Sequence, residues 1–174
     1  KRKRLALLDL LIAVFQEGTL TNINIKEEVD TFMLGGYDTS TIAISFLLAL
    51  LAEHKDIQNR VRKEIDTVMQ ENGGKFTMKS FQNLSYLDRC IKEAMRLYPS
   101  LFIISRRTEE DIKLQSYLVP HGTMVILNIY GVHRDPNFWP NPEIFDPDRF
   151  LPEEIQNRHP YSYIPFSAGP RNCL

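Results

Sequence analysis

The sequence predicts a mostly α fold with small β sheets. The first half of the chain repeats apolar residues at helical spacing, the middle carries short apolar runs of strand length, and Asp135–Pro170 crowds prolines and aromatics into coil. The 174 residues, 43% hydrophobic and 25% charged, are enough for one domain with a core. A formal net charge of −1 gives no electrostatic case for a nucleic-acid partner, which favours a basic face. The two cysteines, Cys90 and Cys173, cannot build a disulfide framework or a cysteine-rich zinc site, and they point to reducing surroundings.

Taken in order, the elements begin with a basic tetrad, Lys1-Arg2-Lys3-Arg4, ahead of an apolar run from Leu5 to Phe15. This looks like a secretion signal, but Asp9 interrupts the run and no small-x-small cleavage site follows. Leu5, Leu8, Ile12 and Phe15 fall at helical spacing, so an amphipathic helix with a solvated basic first turn is expected. After a loop at Gly18–Asn24, a second helix is expected from near Ile25 to about His54, spanning roughly 45 Å over ~30 residues. Its stretch Thr41–Ala52 is apolar on nearly every side, which predicts burial all round. That stretch falls short of the ~18 residues a bilayer requires, so no membrane span is expected. A third helix is expected from about Asp56 to Gln70, with Ile57, Val61, Ile65 and Val68 on one face, stopped by Asn72-Gly73-Gly74. A fourth runs from about Tyr86 to Leu97 and ends before Pro99. Strands are expected at Leu101–Ser105, Ile112–Leu114 and Met124–Leu127. The coil beyond Asp135 carries Phe138, Trp139, Phe145, Phe150, Tyr161, Tyr163 and Phe166, an aromatic content that predicts order. No repeat or low-complexity tract occurs. The chain lacks an initiator Met and stops one residue after Cys173, so a piece of a longer protein is expected.

Three motifs carry chemistry. Pro165-Phe166-Ser167-Ala168-Gly169-Pro170-Arg171-Asn172-Cys173 reads as a tight turn delivering a cysteine. Gly169 permits a left-handed backbone, Pro170 stiffens the turn, Arg171 favours thiolate over thiol, and Phe166 can shield the sulfur. Taken alone, a lone cysteine is more often a small buried hydrophobe. Glu93 and Arg96, three apart on one helix face, can pair, although most such pairs are solvated and contribute little. Gly35-Gly36-Tyr37-Asp38-Thr39-Ser40 places two glycines inside a helix, at a cost of about 1 kcal/mol each. Such a cost is compatible with a close approach of backbone to another group, with a kink, or with a packing notch in which Thr39 bonds back to its own helix. Arg106 follows an apolar β-like run, with Arg107 one residue away. His133 sits at the end of a helix or strand, or in an exposed turn.

These motifs, in this order, resemble the cytochrome P-450 family over nearly the whole chain. The resemblance implies the cytochrome P-450 fold, from the long oxygen-groove helix to the cysteine-ligand loop, as a C-terminal-half fragment. Residues 1–174 are then part of a single catalytic domain, with its N-terminal half and the helix after the loop missing. It makes Cys173 the thiolate ligand to the haem iron, with Phe166, Gly169 and Arg171 in its loop and Arg106 on a haem propionate. It makes Glu93 and Arg96 a helical Glu-x-x-Arg motif, with Arg149 of Asp146-Pro147-Asp148-Arg149-Phe150 as third partner in a network pinning the coil beneath the haem. Asp38 and Thr39 become the proton relay of the oxygen groove. Glu28-Val29-Asp30-Thr31-Phe32-Met33 running into Gly36-Tyr37-Asp38-Thr39 is similar to the fourth P-450 family, known for ω-hydroxylation of fatty acids and related lipids. Tyr37 replaces a His common in that signature. Gly35 replaces an acid that, in many mammalian members, can be esterified to haem. Haem b is therefore expected to be held non-covalently apart from its axial Cys173 bond.

The implied reaction inserts one oxygen atom from dioxygen into a C–H bond of a lipophilic substrate: a fatty acid, related lipid or xenobiotic. Electrons come from NADPH through an NADPH-cytochrome reductase, with cytochrome b5 as a further donor. Localisation at the cytoplasmic face of the endoplasmic reticulum membrane, through an N-terminal anchor not present here, follows from the same resemblance. A non-catalytic haem-thiolate sensor would carry the cysteine loop without the oxygen groove. An all-helical interaction module would leave the proline–aromatic coil and the glycine pair unexplained.

Overall fold

A computed structural model describes residues 5–174; the basic tetrad lies outside the described residues. The chain divides into two compact units, Lys1–Thr41 and Ile42–Leu174. The first holds helix α1 (Leu7–Gln16) and the start of helix α2 (Asn22–Glu53). Asp9 closes the first turn of α1: its Oδ2 accepts from the Ala6 N–H at 3.3 Å. Helix α2 starts three residues before the expected Ile25, because Thr21 and Asn24 cap each other. The Thr21 N–H donates to Asn24 Oδ1 at 3.0 Å, and the Asn24 N–H to Thr21 Oγ1 at 3.2 Å.

Two expectations for α2 are corrected. The helix is long and apolar enough to cross a membrane by length and composition, with an 18-residue window of mean hydropathy 1.4. The run Thr41–Ala52 understated this, since an 18-residue window needs only a high mean and tolerates small and hydroxyl residues around the run. Nor is α2 buried all round: only Leu50 and Leu51 are buried, while Ile44, Phe46 and Leu48 are exposed. Within the second unit, only the side bearing Leu47, Leu50 and Leu51 meets the core.

That core joins the end of α2 to helix α3 (Lys55–Glu71), helix α4 (Ser85–Leu97) and one aromatic of the coil. Leu50, Leu51, Ile57, Val61, Tyr86, Cys90, Ala94, Leu97 and Phe145 pack together. Ile57, Val61 and Val68 recur along one face of α3, as the helical period requires. The helix ends in the turn at Asn72–Gly74, where Gly74 takes φ +77° and donates to the Met69 carbonyl at 2.8 Å. Helix α4 has no cap from its own N-cap side chain. Glu64 of α3 supplies one: Oε1 accepts from the Tyr86 N–H at 2.7 Å and Oε2 from the Leu87 N–H at 2.9 Å.

Two small antiparallel sheets follow. Strand β1 (Ile103–Arg107) pairs with β4 (Met124–Asn128), Ile103 opposite Asn128 and Arg107 opposite Met124. This moves β1 two residues later than expected, a register set by its distant partner. Strands β2 (Ile112–Leu114) and β3 (Tyr117–Val119) form a tight hairpin in which Gln115 takes φ +41°. Strand β3 was not expected, because Gln115-Ser116 lacks the glycine or asparagine that announces such turns.

Helix α5 (Ile129–Val132) leads into the coil, which is ordered as its aromatics predict. Its short turns are Pro147–Phe150, helix α6 (Pro152–Gln156) and Pro160–Ser162. Trp139 is 0% exposed and its Nε1–H donates to the Ser162 carbonyl at 3.2 Å. The Arg158 guanidinium lies 4.0 Å from the Trp139 ring centroid, and Phe150 meets Tyr163 edge-on at 4.8 Å.

Removing the remote cap tests this packing. Glu64→Ala should destabilise the protein by ~1–2 kcal/mol, the effect of losing a helix cap, and Glu64→Gln should recover part of that. Chemical denaturation checks both; equal stability of Glu64→Ala and the parent would show that α4 does not depend on α3 for its cap.

Candidate functional site

The pair on α4 is buried, so the solvated alternative does not apply. Glu93 and Arg96 are both 0% exposed. Arg96 Nε and Nη2 donate to the two Glu93 oxygens, each at 2.7 Å, which is bidentate geometry. The remaining donors go to coil carbonyls. Nη1 donates to His133 at 3.0 Å and Pro142 at 2.7 Å, and Nη2 to Ile144 at 3.2 Å. Glu93 Oε1 also accepts from the Asp146 N–H at 3.0 Å. Burial pushes the Glu93 carboxyl above its ordinary value, opposed first by the bond and charge of Arg96, then by the Asp146 amide and Arg149.

Arg149 lies beside the pair and meets it by charge. Its Nε lies 3.5 Å from Glu93 Oε1 without a hydrogen bond, while Nη2 donates to the Asn141 carbonyl at 3.0 Å. Arg158, which the sequence did not single out, donates from Nη2 to the Arg149 carbonyl at 2.8 Å.

His133 caps the C-terminal end of α5, a helix end as expected, and it is fully buried, so the exposed-turn alternative does not hold. Its Nε2 accepts from the Ile164 N–H at 2.9 Å, and its ring stacks on Tyr163 at 5.2 Å between centroids. Burial lowers its pKa to about 4; the Met95 and Arg96 backbone opposes the shift, and the Arg96 and Arg134 charges add to it. No local sequence pattern marks this residue, because its partners lie on α4 and thirty residues downstream.

The cysteine loop begins at Ile164. The Ser167 N–H donates to the Ile164 carbonyl at 3.1 Å, and the Cys173 N–H to the Phe166 carbonyl at 2.9 Å. Gly169 takes φ +81°, as the turn reading requires, and Ser167 takes φ +62°. Arg106 of β1 reaches across to the loop. Its Nη2 donates to Ser167 Oγ at 3.3 Å and to the Arg171 carbonyl at 3.2 Å. Cys173 is a free, exposed thiol and Phe166 is exposed beside it. Cys90, by contrast, is fully buried in the core, and burial pushes its thiol up to about 12. That leaves Cys173 as the cysteine able to act as a ligand.

Asp38 and Thr39 lie in the first unit, on an unbroken α2. Thr39 Oγ1 donates to the Gly35 carbonyl at 2.6 Å, as Thr31 and Thr41 do to Glu27 and Tyr37, each at 2.7 Å. This is the bonding-back arrangement. Apart from their chain neighbours and the helix's own backbone, no heavy atom of the described residues lies within 4 Å of where a Cβ would stand on Gly35 or Gly36.

An exposed thiol on a loop closed through its own backbone and tied to β1 by Arg106 could supply a thiolate ligand to an iron porphyrin, as in haem-thiolate proteins. The family model described as Cytochrome P-450 matches residues 1–174, and the chain belongs to the cytochrome P-450 family. It is 49% identical to Cytochrome P-450 4c3 of Drosophila melanogaster, covering 100% of this chain and 33% of that protein. It is 45% identical to Cytochrome P-450 4V2 of Homo sapiens, covering 100% of this chain and 34% of the relative. With Cytochrome P-450 4c21 of Blattella germanica the identity is 44%, covering 100% and 35%. The chain thus spans about a third of the length of the curated relatives it matches.

The neutral His133 gives a pH prediction. Its folded pKa, about 4, lies below the ordinary 6.5. The unfolded chain therefore takes up a proton that the folded chain refuses. Stability from this residue is complete above about pH 6.5 and is lost as pH falls towards 4, by ~3 kcal/mol across the window. Denaturation midpoints of the parent and His133→Gln, measured from pH 7 to 4, should converge as pH falls. A constant gap would show that His133 does not titrate this way.

Proposed function

We propose that residues 1–174 are part of a single cytochrome P-450 catalytic domain, and that the whole protein is a haem-thiolate monooxygenase. It inserts one oxygen atom from dioxygen into a C–H bond of a lipophilic substrate. The relatives' names place them in the fourth P-450 family, which supports a fatty acid or related lipid as substrate class. The observation that carries the reading is the exposed Cys173 thiol, set on a loop closed by the Cys173–Phe166 backbone bond and braced by Arg106.

The residues present fit haem b. Cys173 Sγ would bind the iron and, as thiolate, push electron density towards it. Arg171 and Phe166 would flank the porphyrin from the same loop, and Gly169, at φ +81°, gives the turn its shape. Arg106 keeps Nε beyond its loop contacts for a propionate. When bound, the haem supplies the activation of dioxygen that the side chains cannot. Asp38 and Thr39 would serve as the groups that hold and pass a proton, Thr39 through the hydroxyl that now donates to the Gly35 carbonyl. Glu93, Arg96 and Arg149 fix the coil. Gly35 offers no carboxylate to a haem methyl, so the haem is held by the Cys173 bond, propionate contacts and packing alone. Electrons reach the site from NADPH through an NADPH-cytochrome reductase, with cytochrome b5 as a further donor. The protein sits on the cytoplasmic face of the endoplasmic reticulum through an N-terminal anchor outside this chain, and α2 is a helix of the catalytic domain.

The test is spectroscopic. Reduced full-length protein with carbon monoxide should give the red-shifted Soret band of thiolate ligation, and Cys173→Ala should lose both that band and oxygenated product. A variant that kept the band would remove Cys173 as the ligand.

A further inference from the structure

The cysteine loop must be held at its root as well as at its tip. Three consecutive residues at that root are bonded to the rest of the unit. The Ser162 carbonyl accepts from Trp139 Nε1–H at 3.2 Å, Tyr163 donates its hydroxyl to the Lys92 carbonyl at 3.0 Å, and Ile164 donates its N–H to His133 Nε2 at 2.9 Å. The last of these differs in kind from the others. It is the one of the three made to a residue that Arg96 hydrogen-bonds: the His133 carbonyl accepts from Arg96 Nη1 at 3.0 Å. His133 therefore faces both ways, its carbonyl on the buried pair and its ring on the first residue of the cysteine loop.

We propose that His133 is a positioning residue for the cysteine ligand, its imidazole Nε2 tying the Ile164 N–H, and so the root of the Cys173 loop, to the Glu93–Arg96 network. The proposal rests on Cys173 being the thiolate ligand.

The chemistry of the site requires a neutral acceptor. Ile164 is half-buried, and its N–H, left without a partner there, is destabilising. A protonated ring would present a donor to that donor. Neutral imidazole satisfies the N–H, adds no charge, and gains a stacking partner in Tyr163 at 5.2 Å. The bond matters to the ligand because Ile164 is engaged on both sides: its N–H goes to His133, and its carbonyl accepts from the Ser167 N–H, which opens the turn leading to Cys173. Releasing His133 leaves the loop held by Ser162 and Tyr163 before its first turn and by Arg106 beyond it, with Ile164 itself untied.

Two variants separate an acceptor from a filler. His133→Gln keeps a neutral acceptor near the position of Nε2; His133→Leu keeps bulk and loses the acceptor. In the full-length haem protein, reduced and bound to carbon monoxide, the decay of the red-shifted thiolate band to an unshifted band is followed at equal haem content. His133→Leu should lose the thiolate band about tenfold faster than the parent, the factor expected for one hydrogen bond, and His133→Gln should decay like the parent. Hydrogen exchange of the peptide containing Ile164 should rise in the Leu variant and not in the Gln variant. If the Leu variant yields no haem protein, the Gln variant decides: parent-like decay and exchange support the proposal, and fast decay overturns it. Parent-like behaviour of the Leu variant, or equal defects in both, also overturns it. A parent protein with no thiolate band overturns the haem-thiolate reading, and this inference with it; a parent with the band and an unaffected Leu variant overturns the inference alone.

Discussion

Two opposite charges with no exposed surface lie between α4 and the coil, and the path of the coil follows from what they need. A guanidinium carries five N–H donors, and all five of Arg96 are used: two on Glu93 and three on the carbonyls of His133, Pro142 and Ile144. Glu93 adds the Asp146 amide and the Arg149 charge. Taking such a pair out of water costs several kcal/mol per ion, and only this complete set of bonds makes the burial tolerable. The same bonds bring four points of the coil to one place on α4. Remove the carboxylate and a buried cation remains with nothing to balance it.

The coil in turn is written so that it must lean on side chains. Its prolines supply no N–H and break any ladder, which leaves carbonyls in search of donors. Arg96, Arg149, Arg158 and Trp139 supply them. The aromatics that fill the space do so around guanidinium groups, with Arg96 at 5.0 Å and Arg158 at 4.0 Å from the Trp139 ring centroid. The result is an ordered segment without regular structure that carries fixed geometry from a helix to the loop bearing Cys173. Arg106 extends the same support from the other side, tying the loop to β1.

The sequence makes the helices legible because their apolar spacing is strong, and α3 and α4 fall within a residue of expectation at both ends. It hides whatever depends on a distant partner. Nothing around Glu64 announces that it caps a helix more than twenty residues away, and nothing around His133 announces a bond to Ile164. Strand β3 escaped because its turn uses Gln115-Ser116, and β1 slipped because its register belongs to β4. The Glu93–Arg96 spacing allowed a pair but could not say whether it was buried, and Arg149 entered through family resemblance alone. The glycine pair of α2 is the least resolved by local reasoning: the helix runs straight through it, with open space beside both residues.

The dependence of the coil on Glu93 is open to one direct measurement: the haem content of the purified full-length Glu93→Ala variant beside that of the parent. Breaking a buried, bonded ion pair by removing one partner costs about 3–5 kcal/mol, a large part of the stability of an ordinary domain. The account predicts protein without haem, or no folded protein. A Glu93→Ala variant with normal haem content and an intact thiolate band would contradict it, and would make the pair a passenger in the fold that it is held here to organise.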